Sequence, residues 1–165
     1  MTTLGGRVID IVSAVEIITG RSDTSPVFGL FGSSLGGTAC IGAAGLTRPA
    51  AIVVCAAPIR SRTIDSAAAM SADSEKSPPR PALLQFDVSV KIPALRDILV
   101  FHGSADEVVP YNDAVEIFAA ASEPKRLVTL PGGDHRMTDP SHQKRFVEQT
   151  VTWFQERLPA FNGTR

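Results

Sequence analysis

The stretch Val27 to Leu46, VFGLFGSSLGGTACIGAAGL, constrains this chain more than any other. It opens as a short apolar run, Val27 to Phe31, turns sharply through Gly32-Ser33-Ser34-Leu35-Gly36, and continues as a helix of small residues. The turn is a G-x-S-x-G match with a strand before it and a helix after it, the context in which that pattern lifts a serine hydroxyl clear of the backbone. A strained turn of this kind favours glycine on both flanks, because a Cβ at either side is expected to collide with neighbouring main chain. Ser34 then stands at a helix N-terminus, where the N–H of Leu35 and the helix dipole face any negative charge developing beside the hydroxyl.

No charge falls between Thr24 and Thr47, so the stretch is long enough to raise the question of a membrane span. Gly29, Gly32, Gly36, Gly37, Gly42, Gly45 and the serine pair interrupt it, and a strand-turn-helix accounts for it better. At the N-terminus, Asp10 and Glu16 lie inside the apolar segment and no basic region precedes it, which argues against a signal peptide and leads to the expectation of a cytoplasmic protein. With 165 residues, 44% hydrophobic and 20% charged, the chain is expected to form one globular domain, residues 1–165. Its net charge of −1, without a basic block, makes nucleic acid and anionic membrane surfaces poor partners. Cys40 and Cys55 form neither a disulfide framework nor a metal pattern, and each sits among apolar residues.

Strand and helix patterns alternate along the chain. Arg7 to Thr19 reads as a helix after a six-residue loop, and Ala51 to Cys55 (AIVVC) as a strand buried on both faces. Asp97 to Phe101 and Arg126 to Leu130 complete a set of about four strands. Between the last two lies a helix from about Tyr111 to Ala121, with Ala114, Val115, Phe118 and Ala119 expected inward. The last helix is expected from Pro140, capped by Asp139, to about Leu158, burying Val147, Val151, Phe154 and Leu158. Composition shifts over Ser61 to Pro93, which is rich in proline and serine. It reads as an insertion at about 61–93, a surface crossover or a cap over one sheet edge, with a helical piece at 65–71. The alternation implies an α/β fold with a parallel sheet and right-handed crossovers.

Functional groups of such a sheet gather at the carboxyl ends of its strands. Ser34, Asp106 and His135 fall there, after the first, third and fourth strands. In order and in wording (GSSLGG, HGSADEVVP, GGDH) the chain resembles the α/β-hydrolase superfamily, and within it the small bacterial hydrolases of the dienelactone-hydrolase and serine-aminopeptidase-like type. The resemblance departs from true dienelactone hydrolases in placing serine where they carry cysteine. It implies a serine hydrolase acting on an ester or similar acyl substrate through an acyl-enzyme, with a small peptidase or thioesterase as the alternative enzyme. No metal or organic cofactor is expected. Ser34 would be the nucleophile, His135 the general base and acid, Asp106 the group that orients His135, and Leu35 an oxyanion donor through its N–H. Glu107 is the alternative to Asp106. His102 reads as structural, Asp134 as shaping its loop and His142 as solvated.

The family fold has eight strands, and the resemblance covers it only from the helix before the nucleophile strand onward. The loop that normally provides a second oxyanion N–H has no counterpart here. Val27 to Phe31 is expected to be a bare apolar edge that invites pairing with another chain, so a homodimer through that edge enters the expectations. Three readings follow. The favoured one is a piece of a longer hydrolase, hence a truncated α/β-hydrolase core. The others are a reduced member closed by dimerisation, and a folded remnant acting as a binding module.

Overall fold

The computed structural model describes residues 3–64 and 85–159. The expected helical piece at 65–71 and most of the 61–93 insertion lie outside the described residues. The elements run α1 (Leu4–Thr19), β1 (Gly29–Ser33), α2 (Leu35–Thr47), β2 (Ala51–Cys55), a 3-10 helix (Ser89–Ala94), β3 (Ile98–Gly103), α3 (Tyr111–Ala120), β4 (Lys125–Leu130) and α4 (Pro140–Gln155). The strands form one parallel sheet in the order β1-β2-β3-β4. Sequence order and spatial order coincide, so each crossover moves the chain one strand along the sheet.

Helix α1 begins three residues earlier than its apolar spacing suggests. Thr3 caps it, accepting the Gly6 N–H at 3.1 Å, and so draws Leu4, Gly5 and Gly6 out of the expected loop. Strand β1 is displaced two residues from the apolar run, because its bounds are set by pairing with β2, Gly29 opposite Ala51 through Ser33 opposite Cys55. In β2 every residue is buried, as an all-apolar strand between two layers must be.

Two apolar clusters cover the two faces of the sheet. On one face Ile52, Val54, Ile98 and Val100 meet Ile41 and Ala44 of α2, Ile117 of α3, and Val88 and Ile92 around the 3-10 helix. The C-terminal flank of the expected insertion is therefore core: Ile92 is fully buried. On the other face Val53, Leu99, Phe101 and Val128 meet Trp153 of α4. Helix α1 lies on α2, approaching closely at Gly42, where a Cβ would stand 2.7 Å from Val8 Cγ2.

Two helices present faces that differ in part from those expected, with Ala114 of α3 and Phe154 of α4 turned inward as expected. In α3 the inward residues are Asp113, Ala114 and Ile117, and Val115 is exposed. In α4 Trp153 is buried and Phe146 and Phe154 are partly so, while Val147 and Val151 are exposed. The large rings take the sheet side of α4 because they bury more apolar area than valines, and Phe146 packs edge-on against Phe101 with ring centres 4.9 Å apart.

Candidate active site

Ser34 follows the end of β1 and caps α2 with φ 52° and ψ −129°, a backbone region that a residue with a Cβ rarely occupies. Its N–H donates to the Cys55 carbonyl at 2.8 Å, and its carbonyl accepts the N–H groups of Gly37 and Thr38. The turn is thereby tied to the end of β2 on one side and to the first turn of α2 on the other. The glycines flanking it are not equivalent. A Cβ on Gly32 would overlap the Gly36 carbonyl carbon and oxygen and stand 2.6 Å from the Gly37 nitrogen, whereas a Cβ on Gly36 would meet nothing within 4 Å. The collision expected at both flanks thus exists at Gly32 alone. The close partner on the helix side is Gly37, where a Cβ would stand 2.7 Å from the Ala57 Cβ.

Asp106 lies on the loop after β3. Its Oδ1 accepts the Val108 N–H at 2.9 Å and the Val109 N–H at 2.8 Å. Its side chain is fully buried. Burial pushes its carboxyl up, but hydrogen bonds from His102, the Val109 N–H, His135 and the Val108 N–H outweigh that and hold it down at about 2. Asp106 is therefore a carboxylate, an acceptor only, at neutral pH.

His135 lies on the loop after β4. Its Nδ1 is 2.9 Å from Asp106 Oδ2 and 3.1 Å from Oδ1, and its Nε2 is 3.1 Å from Ser34 Oγ. Because both Asp106 oxygens accept, Nδ1 carries the ring proton, and Nε2 of the neutral ring is left as an acceptor facing the hydroxyl. The structure thus brings Ser34, His135 and Asp106 into one hydrogen-bonded chain. Leu35, whose N–H the sequence singles out, opens α2 beside Ser34. The first amides of a helix have no partner within it. Ser34, Leu35 and Gly36 are all half-buried.

The neighbouring polar groups divide into supports. The Glu107 carboxylate accepts the His135 backbone N–H at 3.1 Å, so it holds the histidine loop instead of replacing Asp106. Asp134 accepts the Thr138 N–H at 2.8 Å and shapes that same loop. His142, expected in solvent, is half-buried with its Nδ1 enclosed and unpartnered. His102 is fully buried, with Nε2 2.9 Å from the Val109 carbonyl and 3.2 Å from Asp106 Oδ2. Asp113, which the sequence reading passed over, is buried and accepts the Ile59 N–H at 3.0 Å and the Thr63 hydroxyl at 2.9 Å. Its cue was a carboxylate at an inward helical position. Burial pushes the thiols of Cys40 and Cys55 up to about 11 and about 12, the Asp106 charge adding to the second, so neither is a thiolate near neutrality.

Residues 5–160 match the family model described as the prolyl oligopeptidase family. The chain belongs to that family. Among curated relatives, it is 32% identical over 139 residues to the uncharacterized protein YfhR of Salmonella typhi, covering 79% of this chain and 48% of that one. It is 34% identical over 133 residues to an uncharacterized protein of Mycobacterium tuberculosis, covering 79% and 46%. The chain therefore spans about half the length of the curated relatives it matches. Among solved structures, the esterase domain of a Rhodothermus marinus protein superposes with a TM-score of 0.70 at 21% identity, over 91% of this chain and 68% of that one. The dienelactone hydrolase of Anabaena variabilis gives 0.71 at 21%, over 94% and 62%. Est1E of Butyrivibrio proteoclasticus, solved with ferulic acid bound, gives 0.71 at 20%, over 94% and 69%. The fold of this family member is that of the α/β-hydrolases, as its sequence words imply. No helix among the described residues is long and apolar enough to cross a membrane.

Proposed function

We propose that this chain carries the catalytic centre of a serine hydrolase that cleaves an ester or similar acyl bond through an acyl-enzyme. One observation carries the reading: Ser34 Oγ, His135 Nε2 and Nδ1, and the Asp106 carboxylate form an unbroken hydrogen-bonded series on a strained serine. As Ser34 Oγ bonds to the acyl carbon, its proton passes to His135 Nε2, and the imidazolium is stabilised by Asp106. The negative carbonyl oxygen faces the Leu35 N–H. The intermediate collapses when His135 returns the proton to the departing oxygen or nitrogen, which leaves an acyl-Ser34 ester. Water deprotonated by His135 then attacks that ester, and Ser34 regains its proton as the acid leaves. Membership of the prolyl oligopeptidase family favours a second reading within the same chemistry, a peptide bond as substrate.

The test is covalent labelling by a fluorophosphonate, followed by competition between an aryl ester and a peptide anilide. Labelling at Ser34, absent in Ser34→Ala and strongly reduced in His135→Ala, is the expected result. Label that persists in the Ser34→Ala protein would overturn the assignment of the nucleophile.

A further inference from the structure

The buried histidine at the end of β3 has no part in the proton path just described, yet it touches the same carboxylate. His102 pairs with Thr129 of β4 in the sheet register, is fully buried, and makes no hydrogen bond to Ser34. Both groups near its Nε2, the Val109 carbonyl at 2.9 Å and Asp106 Oδ2 at 3.2 Å, are acceptors. Nε2 must therefore carry the proton. Nδ1 is buried and has no partner, so a second ring proton there would be unsatisfied.

We infer that His102 is a positioning residue for Asp106: its Nε2–H is shared between Asp106 Oδ2 and the Val109 carbonyl, and this contact helps hold the carboxylate plane toward His135 Nδ1. The inference rests on the reading of Ser34, His135 and Asp106 given above. The division of labour around the carboxylate supports it. Oδ1 accepts two backbone amides, Val108 and Val109, and lies 3.1 Å from His135 Nδ1. Oδ2 lies 2.9 Å from His135 Nδ1 and 3.2 Å from His102 Nε2. His102 approaches from within the sheet and His135 from the loop after β4, so Oδ2 is held between two N–H donors. The same Nε2–H joins the strand end at position 102 to Val109 across the loop that carries Asp106, closing that loop on itself.

Every ionisable group packed around His102 fits this role. Asp106 faces it from its own loop, and α3 carries the buried Asp113 and the Tyr111 ring, which stands edge-on at 5.8 Å. The Tyr111 hydroxyl is turned away to Thr129 of β4, 2.5 Å distant, so it does not compete for Nε2. Of the groups that lower the Asp106 carboxyl against the opposing effect of burial, the His102 hydrogen bond comes first.

The experiment compares His102→Phe, which keeps a ring and removes both nitrogens, with His102→Gln, whose amide nitrogen reaches about as far as Nε2 and still donates. Kinetics on an aryl ester should show kcat down on the order of tenfold in His102→Phe, with KM little changed and most of the loss recovered in His102→Gln, since only transition-state orientation is affected. The acid limb of the pH–rate profile should move upward in His102→Phe, because the carboxylate charge is no longer shared with a second donor. A role confined to stability would lower the active fraction and leave the limb in place. Ring nitrogen spectra of the isotopically labelled chain read the contact without turnover. The expected pattern is a His102 ring protonated at Nε2 and a His135 Nδ1–H resonance that moves in His102→Phe and returns toward the parent position in His102→Gln. A His102 ring protonated at Nδ1, or a His135 resonance identical in all three proteins, overturns the inference. Retained hydrolysis in Ser34→Ala would instead defeat the underlying catalytic reading, and the spectra would still decide the contact.

Discussion

The two glycines that flank Ser34 look equivalent in the motif and should behave oppositely when each is replaced by alanine. At Gly32 the new Cβ would overlap the Gly36 carbonyl and press on the Gly37 nitrogen, all backbone atoms of the first turn of α2. That turn cannot swing aside cheaply, because the Ser34 carbonyl accepts the Gly37 and Thr38 N–H groups and Gly37 abuts Ala57. The cost belongs at the upper end of the overpacking range, about 3 kcal/mol, which in a domain of this size lowers the melting temperature by about 6–12 °C. At Gly36 the Cβ enters open space and the residue is already helical, so alanine should be neutral or should gain about 0.5 kcal/mol from helix propensity. The functional consequence separates the variants further. Relief of the clash in Gly32→Ala moves α2 away from β1 and with it Ser34 Oγ away from His135 Nε2, and a displacement of about 1 Å can cost on the order of a hundredfold in reactivity. Thermal unfolding followed by circular dichroism gives the first quantity, and the second-order rate of fluorophosphonate labelling gives the second. Equal destabilisation by the two alanines, or a Gly32→Ala protein that melts and labels like the parent, would refute the geometry of the turn.

Three further outcomes follow from the charges and the sheet edge. Asp106 has its carboxyl depressed to about 2 in the fold, so it contributes about 2 kcal/mol of stability that is fully present above the unfolded value near 4 and is lost as pH falls through about 2. Urea titrations should show Asp106→Asn losing this acid dependence, and a parent chain equally stable at pH 5 and pH 2.5 would contradict it. Asp113 is shifted the other way, its carboxyl raised by burial against the hydrogen bonds from Ile59 and Thr63, so its contribution declines as pH rises past the ordinary carboxylate range. Asp113→Asn keeps an acceptor for the Ile59 N–H and should cost little at pH 7, whereas Asp113→Leu orphans that donor and should cost about 1–3 kcal/mol in the same titrations. Strand β1 is a sheet edge with Phe31 half-exposed, so light scattering at micromolar concentration should detect self-association that Phe31→Lys abolishes, and a strictly monomeric parent would count against pairing through that edge.

The site was legible in the sequence to the extent that topology alone determines it. A parallel sheet delivers its loops to one end, and the words around Ser34, Asp106 and His135 each begin where a strand stops, so their meeting follows from strand order. The supports were not legible, because hydrogen bonds shared between loops leave no periodic trace. Nothing local marks Glu107 as the acceptor for the His135 N–H or His102 as a neighbour of Asp106. The faces of α3 and α4 were partly misread, for a different reason. Counting apolar residues at helical spacing rewards Val115, Val147 and Val151, while the buried stripes are set by Ile117 and by the rings of Phe146 and Trp153, with Asp113 carried inward among them. Such a carboxylate is tolerated there because Ile59 and Thr63 meet it, partners that lie more than one element away.

The greatest geometric demand on this site is reach. Ser34 follows β1 and His135 follows β4, opposite edges of the sheet, which at about 4.8 Å per strand lie about 14 Å apart. The loop after β4 must therefore cross back over β3 and toward β1. Gly103, the last residue of β3, makes the crossing possible: a Cβ there would overlap the Gly133 carbonyl, so only a glycine lets the β4 loop lie directly on the strand end. The Ala105 N–H then donates to the Gly133 carbonyl at 3.0 Å, and the Gly132 N–H donates to Ser104 Oγ at 2.8 Å, fastening the two loops together. Those bonds place Asp106 and His135 on one rigid unit, with Ser34 as the separate member tied to β2 through Cys55. The Nδ1–carboxylate contact is thus built within the paired β3 and β4 loops. The Nε2–hydroxyl contact depends on how β1 sits against the rest of the sheet. A perturbation of the β1 edge should accordingly change Ser34 labelling before it changes the Asp106–His135 pair.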